Sequence, residues 1–247
     1  PEVSEDELGQ ICAAFETMRI ELLRTNQELW RQAEERRRLN AAFAHDLRNP
    51  ITVLKGTVKL LRQGDGDEQA LERLETYTQR IEQYVEAMSS IQRLEQIPMC
   101  RKLINTRILH EELRETANLL APALNRTIKL QEEADIELDH GLFLTVAENL
   151  IGNAARFAQK DLAAVLEIIS AKTGTMLILT VCDDGSGFSA DLIKNGPKPF
   201  GKKHEDAAHF GMGLYTSQML CEKHGGELKL ENKPDGGATV TASFLLL

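Results

Sequence analysis

Two apolar stripes at helical spacing, divided by four residues that suit a turn, constrain this chain most. The first stripe is Leu47, Ile51, Leu54, Val58 and Leu61, spaced alternately four and three apart, the period of a helix with one buried seam. The second is Leu71, Leu74, Tyr77, Ile81, Tyr84, Met88, Ile91 and Leu94. Gly64-Asp65-Gly66-Asp67 stands between them as a clear turn, and Pro98 ends the second stripe. Two long amphipathic helices joined by a short loop make an antiparallel hairpin. One such hairpin cannot bury both stripes alone. Two copies packed as a four-helix bundle can, so the pattern predicts a homodimer.

Upstream, Leu8, Ile11, Phe15, Met18 and Leu22 form a narrower heptad seam, which wants a coiled-coil partner. The helical pattern continues from Asn26 to Asn40 but turns polar at Glu34-Glu35-Arg36-Arg37-Arg38. Such a charge run is ordinarily a solvated face. A point where the coil unwinds easily is the alternative.

The first stripe opens with Phe43-Ala44-His45-Asp46-Leu47-Arg48-Asn49-Pro50. His45 is offset from the seam and should face water or a partner. Asp46 adjoins it, and Asn49 follows one turn on, so the three share a patch of helix surface. Pro50 cannot donate to the carbonyl of Asp46, which predicts a bend. A neutral imidazole is a good nucleophile near pH 7. Asp46 is placed to hold its other nitrogen and share the proton, and Asn49 to orient a water for hydrolysis. A lone histidine beside a proline is ordinarily only solvated; the remainder of the chain decides between these readings.

The chain has 247 residues, 27% charged and 42% hydrophobic, with a net charge of −9. That fits one or two soluble domains with a core and disfavours nucleic acid as a partner. Cys12, Cys100, Cys182 and Cys221 are scattered, without a CxxC pair or nearby histidine cluster, as expected of reduced cytosolic thiols. No apolar run reaches the length of a membrane span, and no signal peptide is visible. After Pro98 the texture changes. The reading is a strand over 101–108, a helix over 110–124, strands over 127–132 and 136–138, and a helix from Asp139 to about Ala158. Strands near 165–170 and 176–182, a loop over 184–210, a helix from Gly211 to about His224, and strands over 227–231 and 238–246 follow. The last three strands read as successive and antiparallel, turning at Lys172-Thr173-Gly174 and at 232–237. Helices on one face of a mixed sheet give an α/β sandwich.

Three features of this second part suit a nucleotide. Asn149 and Asn153 lie four apart on one helix, although asparagine is a poor helix former. Their side-chain carbonyls are hard ligands suited to Mg²⁺. Arg156 and Phe157 follow, a cation for phosphate and an aromatic surface for a base. Asp183 closes an apolar strand ahead of Asp184-Gly185-Ser186-Gly187, where a carboxylate can accept from an exocyclic amine and glycines allow close approach. Gly211-Met212-Gly213-Leu214 opens a helix whose N-terminal N–H groups favour anions.

In this order these features resemble the H, N, G1 and G2 boxes of sensor histidine kinases, the transmitters of two-component signalling. Their ATP-binding fold is shared with gyrase B, Hsp90 and MutL. Lys198-Pro199-Phe200-Gly201 resembles the F box of the ATP lid, and Glu5-Asp6-Glu7-Leu8-Gly9 the closing half of a HAMP linker. The resemblance implies an α+β multi-domain chain. Residues 1–22 would end a HAMP-like linker, 23–97 form the dimerisation and histidine phosphotransfer hairpin, and 98–247 the catalytic ATP-binding domain. It implies that His45 accepts the phosphoryl group, with Asp46 as its base and Asn49 aiding dephosphorylation of the partner. Asn153 with Asn149 would hold Mg²⁺. Arg156, Phe157, Asp183, Gly185, Gly187, Phe200, Gly211, Gly213 and Leu214 would surround ATP, and Lys202 and Lys203 approach its phosphates. Ser186 stands where proline is common and Tyr215 where a further glycine is common.

The expected activity is ATP-dependent autophosphorylation on His45, then transfer to an aspartate of a response-regulator receiver domain docking near Lys55 and Thr57. Expected surroundings are the cytoplasmic side of the cell membrane, with an anchor outside this soluble stretch. The rivals are a regulator phosphatase, a dimeric ATP-binding scaffold and a gyrase/Hsp90-type ATPase.

Overall fold

The computed structural model describes residues 7–63, 68–171, 174–197 and 212–246. The apolar period of the first stripe is realised as one helix, α1, over Glu7–Gln63. It runs uninterrupted through the charged stretch and through Pro50, one turn beyond His45. The second stripe is α2, Glu68–Gln96. The turn at 64–67 lies outside the described residues.

Within one chain the two stripes meet only in part. Ala70, Tyr84, Met88 and Ile91 of α2 are buried, as are Leu39 and Thr57 of α1. The expected seam of α1 is split: Leu47, Leu54 and Leu61 are half-buried, whereas Ile51 and Val58 are exposed. Leu71 and Val85 of α2 are exposed too, and so are Ile11, Phe15, Met18 and Leu22 upstream. Thr57 corrects one expectation. It is 5% exposed, with Oγ1 donating to the Val53 carbonyl at 3.0 Å, so it is no docking contact, whereas Lys55 is exposed.

The second part is built from β1 (Lys102–Asn105), α3 (Thr106–Leu120), β2 (Asn125–Leu130), β3 (Asp135–Leu138), α4 (His140–Phe157), β4 (Asp161–Ala171), β5 (Gly174–Asp183), α5 (Ala190–Asn195), α6 (Met212–Lys223), β6 (Leu228–Asn232) and β7 (Ala238–Leu245). The main sheet runs β2-β4-β5-β7-β6, and β1 pairs with β3 in a small antiparallel ribbon. β2 and β4 are parallel; the other neighbours in the main sheet are antiparallel. This is the expected mixed sheet with helices packed on it. One face of β5, with Leu177, Leu179 and Val181 buried, meets Phe143, Val146, Ala147, Leu150 and Ile151 of α4 in a single core. Phe143 and Phe244 pack edge to face with centroids 5.3 Å apart.

Four expectations are corrected. The strand read over 101–108 stops at Asn105, because that side chain caps α3 by accepting from the Arg107 N–H. The helix therefore starts at Thr106 rather than His110. The loop after Asp184 contains the short α5, capped by Ser189. The last strands are not paired in sequence order: β7 lies between β5 and β6.

Candidate functional site

On α1 the phosphoacceptor candidates share one exposed patch. The His45 side chain is 71% exposed and its Nδ1 lies 3.0 Å from Asp46 Oδ1, whereas the Asp46 side chain is only 27% exposed. The imidazole therefore reaches outward with Nδ1 held on its protein side. The geometry leaves Nε2 as the nitrogen for chemistry. Asn49 is exposed one turn on, in line with its expected access to water.

In the α/β domain, α4 is the common wall for the other motifs. Asn149, Asn153, Arg156 and Phe157 are all half-buried on its C-terminal half. A Cβ added to Gly213 would lie 3.3 Å from Asn149 Oδ1, so the start of α6 abuts the asparagine face. Arg156 stacks on the Phe157 ring, 5.2 Å from its centroid. A Cβ at Gly185 would fall 2.2 Å from the Phe157 carbonyl oxygen. The turn after Asp183 is thus pressed against the end of α4, and only glycine fits. Asp183 is buried, with Oδ1 accepting from the N–H groups of Gly185 at 2.8 Å and Ala238 at 3.3 Å. Asp184 accepts from the N–H groups of Gln159 and Lys160. Those backbone hydrogen bonds, led by Lys160, hold its carboxyl below the usual range.

Sequence reading missed the support on the β6–β7 side. Asn232 accepts from the Phe188 N–H at 2.7 Å and donates to its carbonyl at 2.9 Å, while Gly187 sits at φ +74. Lys233 Nζ donates to the Asp183 carbonyl at 2.9 Å, and a Cβ at Gly237 would strike that same oxygen. These contacts join residues 44 to 54 positions apart, and no local pattern announces them. Leu214 follows Gly213 in the first turn of α6, half-buried. Phe200, Lys202, Lys203 and Gly211 lie outside the described residues.

The helix that begins at this site also touches the hairpin. Met212, Tyr215 and Met219 of α6, together with Phe43 of α1, pack on Leu39, Met88 and Ile91. Lys223, four residues further along the same stripe, donates from Nζ to the carbonyls of Leu94 at 2.7 Å, Glu95 at 3.2 Å and Ile97. Tyr215, unexpected in a glycine position, is thereby explained as an interdomain contact. On the opposite face Cys221 is buried, which pushes its thiol up to about 12 and leaves it inert near neutral pH.

Among the described residues no group of three or more His, Cys, Asp or Glu could hold a metal ion. The donor set available to a hard cation is the pair of asparagine carbonyls on α4, half-buried against the glycine start of α6. Neutral carbonyl oxygens of this kind are chemically suited to Mg²⁺ completed by phosphate and water.

Comparison with known proteins matches two families in the order of the two structural parts. Residues 35–97 match the His Kinase A (phospho-acceptor) domain, and residues 139–247 match the histidine kinase-, DNA gyrase B-, and HSP90-like ATPase family. The sensor histidine kinase CpxA of Escherichia coli is 26% identical over 217 residues, covering 85% of this chain and 47% of that protein. The sensor histidine kinase SpaK of Bacillus subtilis is 25% identical over 254 residues, covering 97% of this chain and 54% of that protein. The chain thus spans about half the length of these curated relatives. Among solved structures, the Acinetobacter baumannii histidine kinase AdeS superposes with a TM-score of 0.55 at 22% identity, covering 82% of this chain and 98% of that one. Full-length ShkA in complex with AMPPNP gives 0.55 at 19% identity, covering 83% and 45%.

Proposed function

From the premise that the chain belongs to the sensor histidine kinases, we propose that it is an ATP-dependent protein-histidine kinase whose acceptor is His45. The observation that carries this reading is the exposed imidazole with Nδ1 against Asp46, on a hairpin that the G2-type helix of an ATPase fold touches directly. ATP is the phosphoryl donor. Nε2 attacks the γ-phosphorus as the bond to the bridging oxygen breaks and ADP leaves; Asp46 takes up charge as the ring becomes cationic. Mg²⁺ held by Asn149 and Asn153 would neutralise phosphate charge. The chain's own part is alignment: α4 and the start of α6 cradle phosphates, Asp183 orients the adenine amine, and Arg156 with Phe157 borders the niche.

The phosphoryl group then passes to an aspartate of a response-regulator receiver domain, and Asn49 serves the reverse, hydrolytic direction. The exposed Ile51, Val58, Leu71 and Val85 support a homodimer in which a second hairpin covers them. Residues 1–22 are read as a linker end, 23–97 as the acceptor hairpin and 98–247 as the catalytic domain. No described helix is long and apolar enough to cross a membrane. A place on the cytoplasmic side of a membrane rests on the likeness to sensor kinases.

Incubation with γ-labelled ATP and Mg²⁺, beside a His45→Gln control, tests the reading. The expected label is acid-labile, base-stable and absent from the variant. Measurable ATP binding without label would overturn the kinase reading and leave the phosphatase reading, tested by loss of phosphate from a receiver domain.

A further inference from the structure

We propose that Tyr84 and Arg80 of α2 are positioning residues that hold the Asp46 carboxylate against His45, so that the second helix of the hairpin completes the acceptor site. This rests on the reading of His45 as acceptor.

The register of the hairpin brings these residues together. Leu39 and Phe43 of α1 pack with Met88 and Ile91 of α2. In an antiparallel pair, one turn forward on α1 matches one turn back on α2. Asp46, one turn beyond Phe43, therefore faces Tyr84, one turn before Met88. Arg80 faces the turn of Asn49 and Pro50. Tyr84 is 7% exposed, unusual burial for a side chain with a hydroxyl. Arg80 hydrogen-bonds the phenol, and Asp46 is the carboxylate whose charge reaches it. Burial pushes the phenol above its ordinary value, so it keeps its proton and remains a donor.

Adjacent helix residues point about 100° apart, so a bond between the His45 and Asp46 side chains requires the carboxylate to be held to one side. The exposures show which side: Asp46 tucks inward while His45 stands out. A phenol whose oxygen accepts from Arg80 keeps its own O–H, and in the proposed arrangement that O–H is donated to Asp46 across the hairpin. Held there, the carboxylate takes the Nδ1–H bond and leaves the lone pair on Nε2. Released, it lets the ring take the other tautomer, whose Nε2 carries a proton and cannot attack.

The test reads tautomer and turnover together in the full chain. Long-range ¹H–¹⁵N correlation NMR of the imidazoles is recorded beside autophosphorylation with γ-labelled ATP, for wild type, Tyr84→Phe, Arg80→Gln and Arg80→Lys. Wild-type His45 is expected as the Nδ1–H tautomer. Tyr84→Phe and Arg80→Gln should shift the ring toward Nε2–H and lower kcat about tenfold, a fraction of what general-base assistance supplies. KM for ATP should not change, and Arg80→Lys should restore most of the rate. An unchanged tautomer and kcat in Tyr84→Phe would overturn the proposal. Absence of label on wild-type His45 would instead overturn the acceptor reading, and the tautomer shift alone would then decide the positioning.

Discussion

The hairpin and the α/β domain place their large apolar side chains in opposite ways. In the domain, Leu109, Leu113, Phe143, Ile151, Leu166, Leu177, Leu179 and Phe244 are fully buried in one core closed by the chain itself. In the hairpin, Ile51, Val58, Leu71 and Val85 face outward, and the interior holds few fully buried side chains. One part closes its own core; the other leaves an apolar face uncovered. His45 sits on this open part, exposed beside the contact that α6 of the neighbouring domain makes with the hairpin. A closed core holds its surface groups in one geometry, whereas an uncovered helix face is open to rearrangement.

Removing a ring from the closed core should separate the two parts most sharply. Phe244→Ala loses the edge-to-face contact with Phe143 and leaves a cavity, at a cost of about 3–5 kcal/mol. Urea unfolding followed by circular dichroism should show an early transition of the sheet domain while the helical signal of α1 and α2 persists. A single shared transition would show that the hairpin depends on the domain for its folding.

The converse change acts on the open part. Ile51→Glu with Val58→Glu alters exposed positions and should leave the melting of the α/β domain unchanged. Each aliphatic side chain buried between copies contributes about 1.5–3 kcal/mol, so sedimentation should show at least a hundredfold weaker self-association. Unaltered association would place the dimer contact elsewhere on the hairpin.

At the junction a smaller effect is expected. Lys223 Nζ gathers carbonyls from the end of α2, where a helix leaves acceptors unsatisfied. Lys223→Met should cost about 1–2 kcal/mol of interdomain docking. It should be read as faster proteolysis between Ile97 and Arg101, with domain melting unchanged. Equal cleavage rates would mean that the apolar contacts of Met212, Tyr215 and Met219 suffice to hold the domain.

What could be read from residues alone follows the range of the interactions. His45, Asp46 and Asn49 share a patch because one helix period puts them there, and the two long helices follow from the same period. Asp139 announces α4 as a cap, and the helix opens at the next residue. Asn105 is a cap of the same kind, but Thr106 and Ile108 have the β-branched look of a strand, so the true start of α3 was hidden. Gly185 and Gly237 read as ordinary turn residues. Their reason is the close approach to Phe157 and Asp183, which only folding reveals. The place of β7 between β5 and β6 is likewise a matter of long-range pairing, and so is the role of Tyr215.

The smallest expected effect concerns His224, at the end of α6 beneath the junction. It is fully buried. Nδ1–H donates to the Leu220 carbonyl at 3.1 Å, while Nε2 is buried with no hydrogen-bond partner among the described residues, and the ring meets Phe244 edge on. Burial is the main cause that holds the imidazole below its ordinary value; the hydrogen bond to the Leu220 carbonyl opposes it, Arg101 and Lys223 add to it, and Asp139 works against them. The unfolded chain then binds a proton that the folded one refuses, so this contribution is fully present above about pH 6.5 and is lost as pH falls toward the folded value. Other groups titrate as well, so the informative quantity is the difference in Tm between wild type and His224→Gln, which cannot titrate. Calorimetry from pH 8 to pH 5 should show the wild-type advantage largest at pH 8 and shrinking through the acid range. A difference that stayed constant would mean that Nε2 gains a proton equally well in both states. The Leu220 hydrogen bond and Asp139 would then balance burial, and the polar groups around the end of α6, rather than the closed core alone, would set the environment of this residue.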